Sequence, residues 1–259
     1  VGSPVSKSLG YLVHNRAFHE KASPHIYVSF LVDNLEKFFN SFKGFFSGLS
    51  VTMPAKEHII PLLSKIDATA KKIGAVNTVV REGTDWVGYN TDCSGAIKAL
   101  EACTSLQGKK VLILGSGGTA KAIGYGVKEK GGILTVTYNK NKERGESLAK
   151  ELCCELVHSR EAGTQSIDIL INCSPVGMSP NINETPFLAR DLKKDMVVFD
   201  SVYNPIETKL LREAKTTGCK VIPGVELFVN QAAQQFELWT GQTAPIEIMR
   251  QVMPGCKKQ

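Results

Sequence analysis

The sequence predicts an α/β protein: a Rossmann-type, doubly wound parallel cofactor domain plus a smaller α/β substrate domain. Three observations carry this. Strand-like and helix-like stretches alternate nearly throughout the 259 residues, the pattern that yields parallel sheet. Lys110–Leu114 is an almost continuous apolar run, as expected of a strand buried on both faces. A glycine-rich turn follows it at once and opens a helical stretch. Composition agrees. With 42% hydrophobic and 22% charged residues, disordered and collagen-like classes are excluded. No apolar run approaches the ~18 residues of a membrane-spanning helix.

Taken in order, Val1-Gly2-Ser3-Pro4 is a turn signal with no strand before it and no initiator Met, read as a domain cut from a longer polypeptide. Tyr27–Leu31 reads as a strand. Asn34 caps a helix running through Phe46. Gly48–Met53 is a strand closed by Pro54. Lys56–Ile66 reads as helix, disturbed at Pro61. Ala75–Arg81 and Trp86–Tyr89 flank Glu82-Gly83-Thr84-Asp85, a hairpin signal. A linking helix over 93–106 precedes Lys110–Leu114. After the glycine turn come a helix to about Lys130, a strand at Leu134–Tyr138, and further strands at Asp168–Asn172, Met196–Asp200 and Lys220–Ile222. Two last helices cover about Glu226–Thr240 and Ala244–Met253. This places a first domain at 1–93, a second at 94–224, and C-terminal helices at 225–259 that return to the first.

Thirty-one basic against 25 acidic residues give +6. The cations are scattered, so no nucleic-acid stripe is read and a phosphate-bearing small ligand fits as well. Seven cysteines, an odd number with no C-x-x-C pair, indicate reduced thiols in an intracellular reducing compartment. The five histidines show no metal-ligand spacing, so no metal is expected.

The run Val111-Leu-Ile-Leu-Gly115-Ser-Gly117-Gly118-Thr119-Ala120 matches G-x-G-x-x-A. Gly115 permits the tight turn, Gly117 lets backbone N–H groups approach a pyrophosphate, and small Ala120 lets helix and strand pack closely. The helix N-terminus adds partial positive charge there. The plainer reading is a tight structural turn in some other α/β protein. At the end of the second strand an NAD site wants a carboxylate. This chain has Asn139-Lys140-Asn141-Lys142-Glu143-Arg144, whose cations suit the 2′-phosphate of NADP over NAD; a solvated basic turn is the alternative.

Two further positions sit at strand ends, where open α/β sheets carry ligands. Thr52 and Lys56 lie at one strand–helix junction, and Asp92 closes Gly88-Tyr-Asn-Thr-Asp92. A Lys held by an Asp can take part in proton transfer, although spacing alone does not pair these two.

Several segments together resemble the shikimate/quinate dehydrogenase family, in the same order and over essentially the whole chain. They are Gly2-Ser-Pro-Val-Ser-Lys-Ser8, Val51-Thr-Met-Pro-Ala-Lys56, Gly74-Ala-Val-Asn77-Thr78, Gly88–Asp92, the glycine loop, Asn172-Cys-Ser-Pro-Val-Gly177-Met178, Tyr203-Asn-Pro and Gln231-Ala-Ala-Gln-Gln-Phe-Glu. The Gly-x-Glu-x-Phe run at 224–228 is most similar to plant bifunctional members, in which a dehydroquinate dehydratase domain precedes this one; plastid stroma or cytosol is the location this implies.

The resemblance implies a catalytic pair Lys56–Asp92, ring-hydroxyl contacts from Thr52, Asn77 and Gln231, and carboxylate contacts from Ser8 and Tyr203. It implies pyrophosphate contacts from Gly115, Gly117 and Gly118, and Met178 near the nicotinamide, with the cleft between the two domains. Three departures stand out. The family's second serine near the start is Gly10. Its Asn-Arg-Thr phosphate motif is Asn139-Lys140-Asn141. Ala55 replaces the usual histidine or aromatic before the lysine. Gly10 offers room for the extra C1 hydroxyl of quinate, so the expectation leans to quinate/3-dehydroquinate interconversion. The alternatives are ordinary NADP-dependent shikimate dehydrogenase of aromatic amino acid biosynthesis and, more remotely, a non-catalytic quinate or shikimate sensor.

Overall fold

The computed structural model describes residues 1–3, 5 and 8–254. The chain forms two compact units, Val1–Asp92 with Val229–Gln259, and Cys93–Phe228.

The first unit opens with α1 (Gly10–Glu20), whose buried Val13, Ala17 and Phe18 recur at helical spacing. In α2 (Leu35–Phe42) the Asn34 side chain accepts the Lys37 N–H at 2.8 Å. The helix stops short of the expected Phe46, because Gly44 disfavours continued α-helix and a 3₁₀ turn spans Lys43–Phe45. A four-stranded sheet follows, built from β1 (Gly48–Ser50), β2 (Lys65–Ile66), β3 (Thr78–Glu82) and β4 (Asp85–Tyr89), in the order β1-β3-β4-β2. β3 and β4 form the expected hairpin; Gly83, at φ +62°, supplies the left-handed turn residue. Leu49, Val51, Val79, Ile59 and Phe39 fill its core.

Three expectations fail here. Tyr27–Leu31 is not a strand. The N–H and C=O of Tyr27 bond to the Asn15 side chain at 2.7 and 2.9 Å, and only Leu31 bridges, to Gly2. β1 ends at Ser50, not Met53: Thr52 N–H bonds Val1 C=O. Lys56–Ile66 is not one helix. α3 (Ala55–His58) yields to a 3₁₀ turn at Ile60–Leu62 containing Pro61, and Lys65–Ile66 are drawn into β2 by pairing with Val87 and Gly88. α4 (Ala68–Ile73), capped by Asp67 and ended by Gly74 at φ +68°, was not foreseen.

The second unit carries a six-stranded all-parallel sheet. Its strands are β5 (Lys110–Leu114), β6 (Ile133–Tyr138), β7 (Glu155–His158), β8 (Ile169–Asn172), β9 (Val197–Asp200) and β10 (Lys220–Ile222), in the order β10-β9-β8-β5-β6-β7. Strand order reverses between β5 and β8, the switch point at which such sheets bind ligands. Helices α5 (Thr91–Glu101), α6 (Gly118–Glu129), α7 (Lys142–Leu152) and α8 (Lys209–Thr217) alternate with the strands, and α9 (Gly224–Thr240) and α10 (Ile246–Gln251) follow. Two apolar clusters use opposite faces of the strands: Val111 and Ile113 in one, Leu112 and Leu114 in the other. That two-sided burial is why residues 111–114, after the exposed Lys110, are all apolar. The second boundary falls after Phe228, inside α9, rather than at 224. No helix of the described residues is long and apolar enough to cross a membrane. Cys93, Cys103, Cys153, Cys154, Cys173 and Cys219 are free thiols.

Candidate active site

In the first unit the ends of three strands converge. β1 runs into the turn that places Thr52 and, at the start of α3, Lys56. β3 begins just after Asn77, and β4 leads into α5, whose first turn holds Asp92. Lys56 Nζ donates to Asp92 Oδ2 at 2.5 Å, both side chains being about nine-tenths buried, at 13% and 10% exposure. Asn77 Nδ2 donates to Asp92 Oδ1 at 2.9 Å and reaches Gln231 Oε1, on α9, at 3.5 Å. Asn77 Oδ1 accepts the Thr91 N–H at 2.7 Å. Lys56, Asp92, Asn77 and Gln231 thus form one connected group. A carboxylate with one oxygen on an ammonium and the other on an amide is fixed in rotation, and it fixes the ammonium in turn.

Ser8 lies just before α1, its Oγ accepting the Gly10 N–H at 3.3 Å. Position 10 does not offer the room the sequence suggests. A Cβ there would lie 2.9 Å from Tyr27 Oη and 3.1 Å from the ring carbon that bears it. Gly10 is small because Tyr27 fills the space, and that ring is stacked on buried His14 at 4.7 Å. Burial raises the Tyr27 hydroxyl above its ordinary pKa, against a hydrogen bond with Ser50.

In the second unit Gly115 has φ +110°, and a Cβ there would stand 3.3 Å from the backbone of Cys173 and Ser174. A side chain at Gly117 would meet nothing within 4 Å, so its backbone is open to a ligand. Gly117 caps α6, which begins at Gly118; Thr119 lies in its first turn and Ala120 is fully buried. Asn139 and Lys140 are exposed just past β6, and Asn141 caps α7 by accepting the N–H of exposed Arg144 at 2.8 Å. Those cations stand at the strand end, where a ribose or its phosphate is read.

Met178 ends a loop held by Asn172. Its Oδ1 accepts from Ser174 N and Oγ at 2.9 and 2.7 Å, and its Nδ2 donates to Asp200 Oδ1 at 2.9 Å. Asp200, fully buried, also accepts from Thr208 Oγ1 at 2.6 Å and Val202 N–H at 3.0 Å. Burial raises its carboxyl to about 6, although those hydrogen bonds pull the other way. Tyr203 packs on Phe228, ring centroids 4.5 Å apart.

The sequence reading missed Asp200, Thr91, Thr78 and Gln235. Signals existed: Asp200 closes a buried strand, Thr91 sits beside Asp92, and Gln235 lies four residues after Gln231 on one helix face.

Residues 1–79 match the model of the shikimate dehydrogenase substrate-binding domain, and residues 224–253 that of the shikimate 5′-dehydrogenase C-terminal domain. A shikimate dehydrogenase (NADP(+)) of Methanosarcina acetivorans is 40% identical, over 97% of this chain and 95% of that protein. The chloroplastic bifunctional 3-dehydroquinate dehydratase/shikimate dehydrogenase of Arabidopsis thaliana is 38% identical, over 98% of this chain; the chain spans 45% of that relative's length. Among solved structures, a shikimate dehydrogenase in complex with NADP+ superposes with TM-score 0.92 at 36% identity, covering 97% of this chain and 92% of that one. A quinate dehydrogenase of Corynebacterium glutamicum in complex with NAD gives 0.88 at 28%, covering 97% and 95%. A two-unit fold with a Rossmann sheet and a Lys–Asp pair defines an oxidoreductase of the nucleotide-dependent dehydrogenase class. The chain belongs to the shikimate dehydrogenase family.

Proposed function

We propose that this chain interconverts shikimate and 3-dehydroshikimate with NADP. The observation that carries this is the braced Lys56–Asp92 pair. Lys56 takes the proton of the reacting hydroxyl, or returns it in the reverse direction, and Asp92 holds the amine in place. Asn77, Gln231 and Thr52 bind ring hydroxyls, and Ser8 binds the carboxylate. When bound, the nicotinamide cofactor supplies hydride acceptance and donation. The residues that would hold it are Gly115, Gly117, Gly118, Thr119 and Ala120 for the pyrophosphate, Asn139, Lys140 and Arg144 for the 2′-phosphate, and Met178 near the nicotinamide. The open backbone at Gly117 and the cations after β6 fit such a group.

The quinate lean rested on room at Gly10, and Tyr27 takes that room. This supports shikimate as the preferred substrate. The plant relative is bifunctional and the chain spans 45% of it, whereas the Methanosarcina relative is matched along 95% of its own length. The test is turnover followed by cofactor absorbance, with shikimate or quinate and NADP or NAD. Shikimate with NADP is expected to give the highest kcat/KM. A quinate rate above the shikimate rate overturns the substrate assignment, and no turnover with any pair leaves the sensor reading.

A further inference from the structure

The first unit also buries a second polar cluster, which meets the Lys56–Asp92 group at Asn77. His14 is 1% exposed and Gln235 1% exposed. Gln235 Nε2 reaches the Asn77 C=O at 3.2 Å, Thr78 Oγ1 at 2.9 Å and Ser50 Oγ at 3.2 Å; its Oε1 lies 3.2 Å from His14 Nε2. Thr78 Oγ1 lies 2.9 Å from Asn77 Oδ1.

The hydrogen positions follow from which atoms can only accept or only donate. The Asn77 carbonyl only accepts, so the Gln235 atom facing it is the nitrogen. The Gln235 atom facing His14 is then the oxygen, and His14 Nε2 carries a proton. His14 Nδ1 is left as a bare acceptor, and it is one of two buried side-chain polar atoms without a partner among the described residues. Thr78 Oγ1 accepts from Gln235, so its own proton is available to Asn77 Oδ1. The Thr91 N–H, which only donates, meets the same oxygen at 2.7 Å. Asn77 Nδ2 is thereby turned to Asp92 Oδ1, leaving Asp92 Oδ2 for Lys56. Thr78 Oγ1 also lies 3.2 Å from Thr91 Oγ1, where either hydroxyl can donate; with the Thr78 proton on Asn77 Oδ1, the series His14, Gln235, Thr78, Asn77 runs toward the carboxylate end.

We propose that Gln235 and Thr78 are positioning residues: a one-way hydrogen-bond relay from His14 through Gln235 and Thr78 holds the Asn77 amide with its nitrogen toward Asp92, and so sets the Lys56–Asp92 pair. His14 serves as the neutral end of the relay. It is stacked on Tyr27 and lies 4.9 Å from the Trp239 ring, an apolar wall in which an imidazolium meets no anionic partner among the described residues. The proposal rests on the dehydrogenase reading for its kinetic arm only.

Two measurements on the full chain test it. The first is the ¹⁵N spectrum of His14 at neutral pH. The Nε2–H tautomer is expected; the Nδ1–H tautomer reverses the relay and overturns the proposal whatever the enzyme does. The second compares Thr78→Ser, which keeps the hydroxyl, with Thr78→Val, which keeps the shape. Thr78→Val is expected to lower shikimate kcat about tenfold, the worth of one lost hydrogen bond, while KM for NADP stays within about twofold. Thr78→Ser is expected to stay within about twofold of the unmodified chain in both. Equal kcat for a folded Val variant and the Ser variant overturns the relay. Gln235→Met cuts it one step earlier and is expected to match the Val variant; full activity there also overturns it. Absence of turnover in the unmodified chain is a failure of the dehydrogenase reading, and the His14 spectrum then decides the relay alone.

Discussion

Lys56 is the residue on which the proposed reaction depends. Lys56→Ala removes the proton carrier and leaves Asn77, Gln231 and Thr52 to hold the substrate, so kcat is expected to fall about 10²–10⁴-fold, with shikimate binding by calorimetry largely kept. A variant retaining most of its kcat sinks the assignment. Gly10 gives a second prediction. Gly10→Ser places a Cβ 2.9 Å from Tyr27 Oη, and that ring cannot swing away without breaking its stack on His14 and its hydrogen bond with Ser50. The substitution is expected to lower kcat/KM for shikimate and quinate together. A rise for shikimate with a fall for quinate would restore the idea that position 10 selects substrate.

Elements differ in how plainly the sequence declares them. β5, β8, β9 and β10 lie within a residue of where the apolar runs put them, because a strand covered on both faces has to be apolar along its length. The glycine loop was legible for a similar reason: φ +110° at Gly115 admits few other residues. The short elements of the first unit were not. Tyr27–Leu31 has the aromatic and β-branched residues of a strand but its leading backbone groups bond to Asn15, and Lys65–Ile66 have helical neighbours but a sheet to pair with. Such choices are made by tertiary contacts that no local pattern contains. The site divides likewise: family resemblance marked Lys56, Asp92 and Asn77, whereas Gln235 and Asp200 carried only weak signals in the sequence and stand out by their burial.

Two turns carry predictions at this scale. In the one between β6 and α7, Lys140→Asp puts a carboxylate where a 2′-phosphate would sit and offers an acceptor to a free ribose hydroxyl. The ratio of kcat/KM for NADP over NAD is expected to fall below one; an unchanged ratio shows that Lys140 plays no part in the choice. The clamp joining β8, β9 and the start of α8 makes stability depend on pH. Asp200 titrates near 6, above its ordinary 3.8, so the folded chain holds that proton more tightly than the unfolded one. This contribution is fully present below about pH 4 and is lost as pH rises through about 6. A rise of that size amounts to on the order of 3 kcal/mol. Asp200→Asn has no such proton to lose, so urea midpoints of the variant are expected to gain on those of the unmodified chain between pH 4.5 and 7. Parallel pH curves refute the shift.

At the scale of the molecule, the chain enters and leaves the second unit through helices rather than loops: Asp92 and Cys93 are both in α5, and Phe228 and Val229 both in α9. The second unit is one unbroken stretch, while the first is assembled from two pieces separated by the whole of it. Joining those pieces across a disordered Cys93–Phe228 would cost about 4 kcal/mol in chain entropy. Once that stretch has collapsed into its own sheet, much of this cost has already been met, and α5 and α9 emerge as pre-formed stubs. The second unit is therefore expected to fold without the first, and the first to need both of its pieces. During synthesis Lys56 and Asp92 are made early, yet Gln231 and Gln235 complete their surroundings only with the last helices. A fragment comprising 93–228 is expected to give a dispersed amide NMR spectrum and to bind NADP, while 1–92 alone stays unfolded. Independent folding of 1–92 would show that the first unit does not need the C-terminal helices in order to fold.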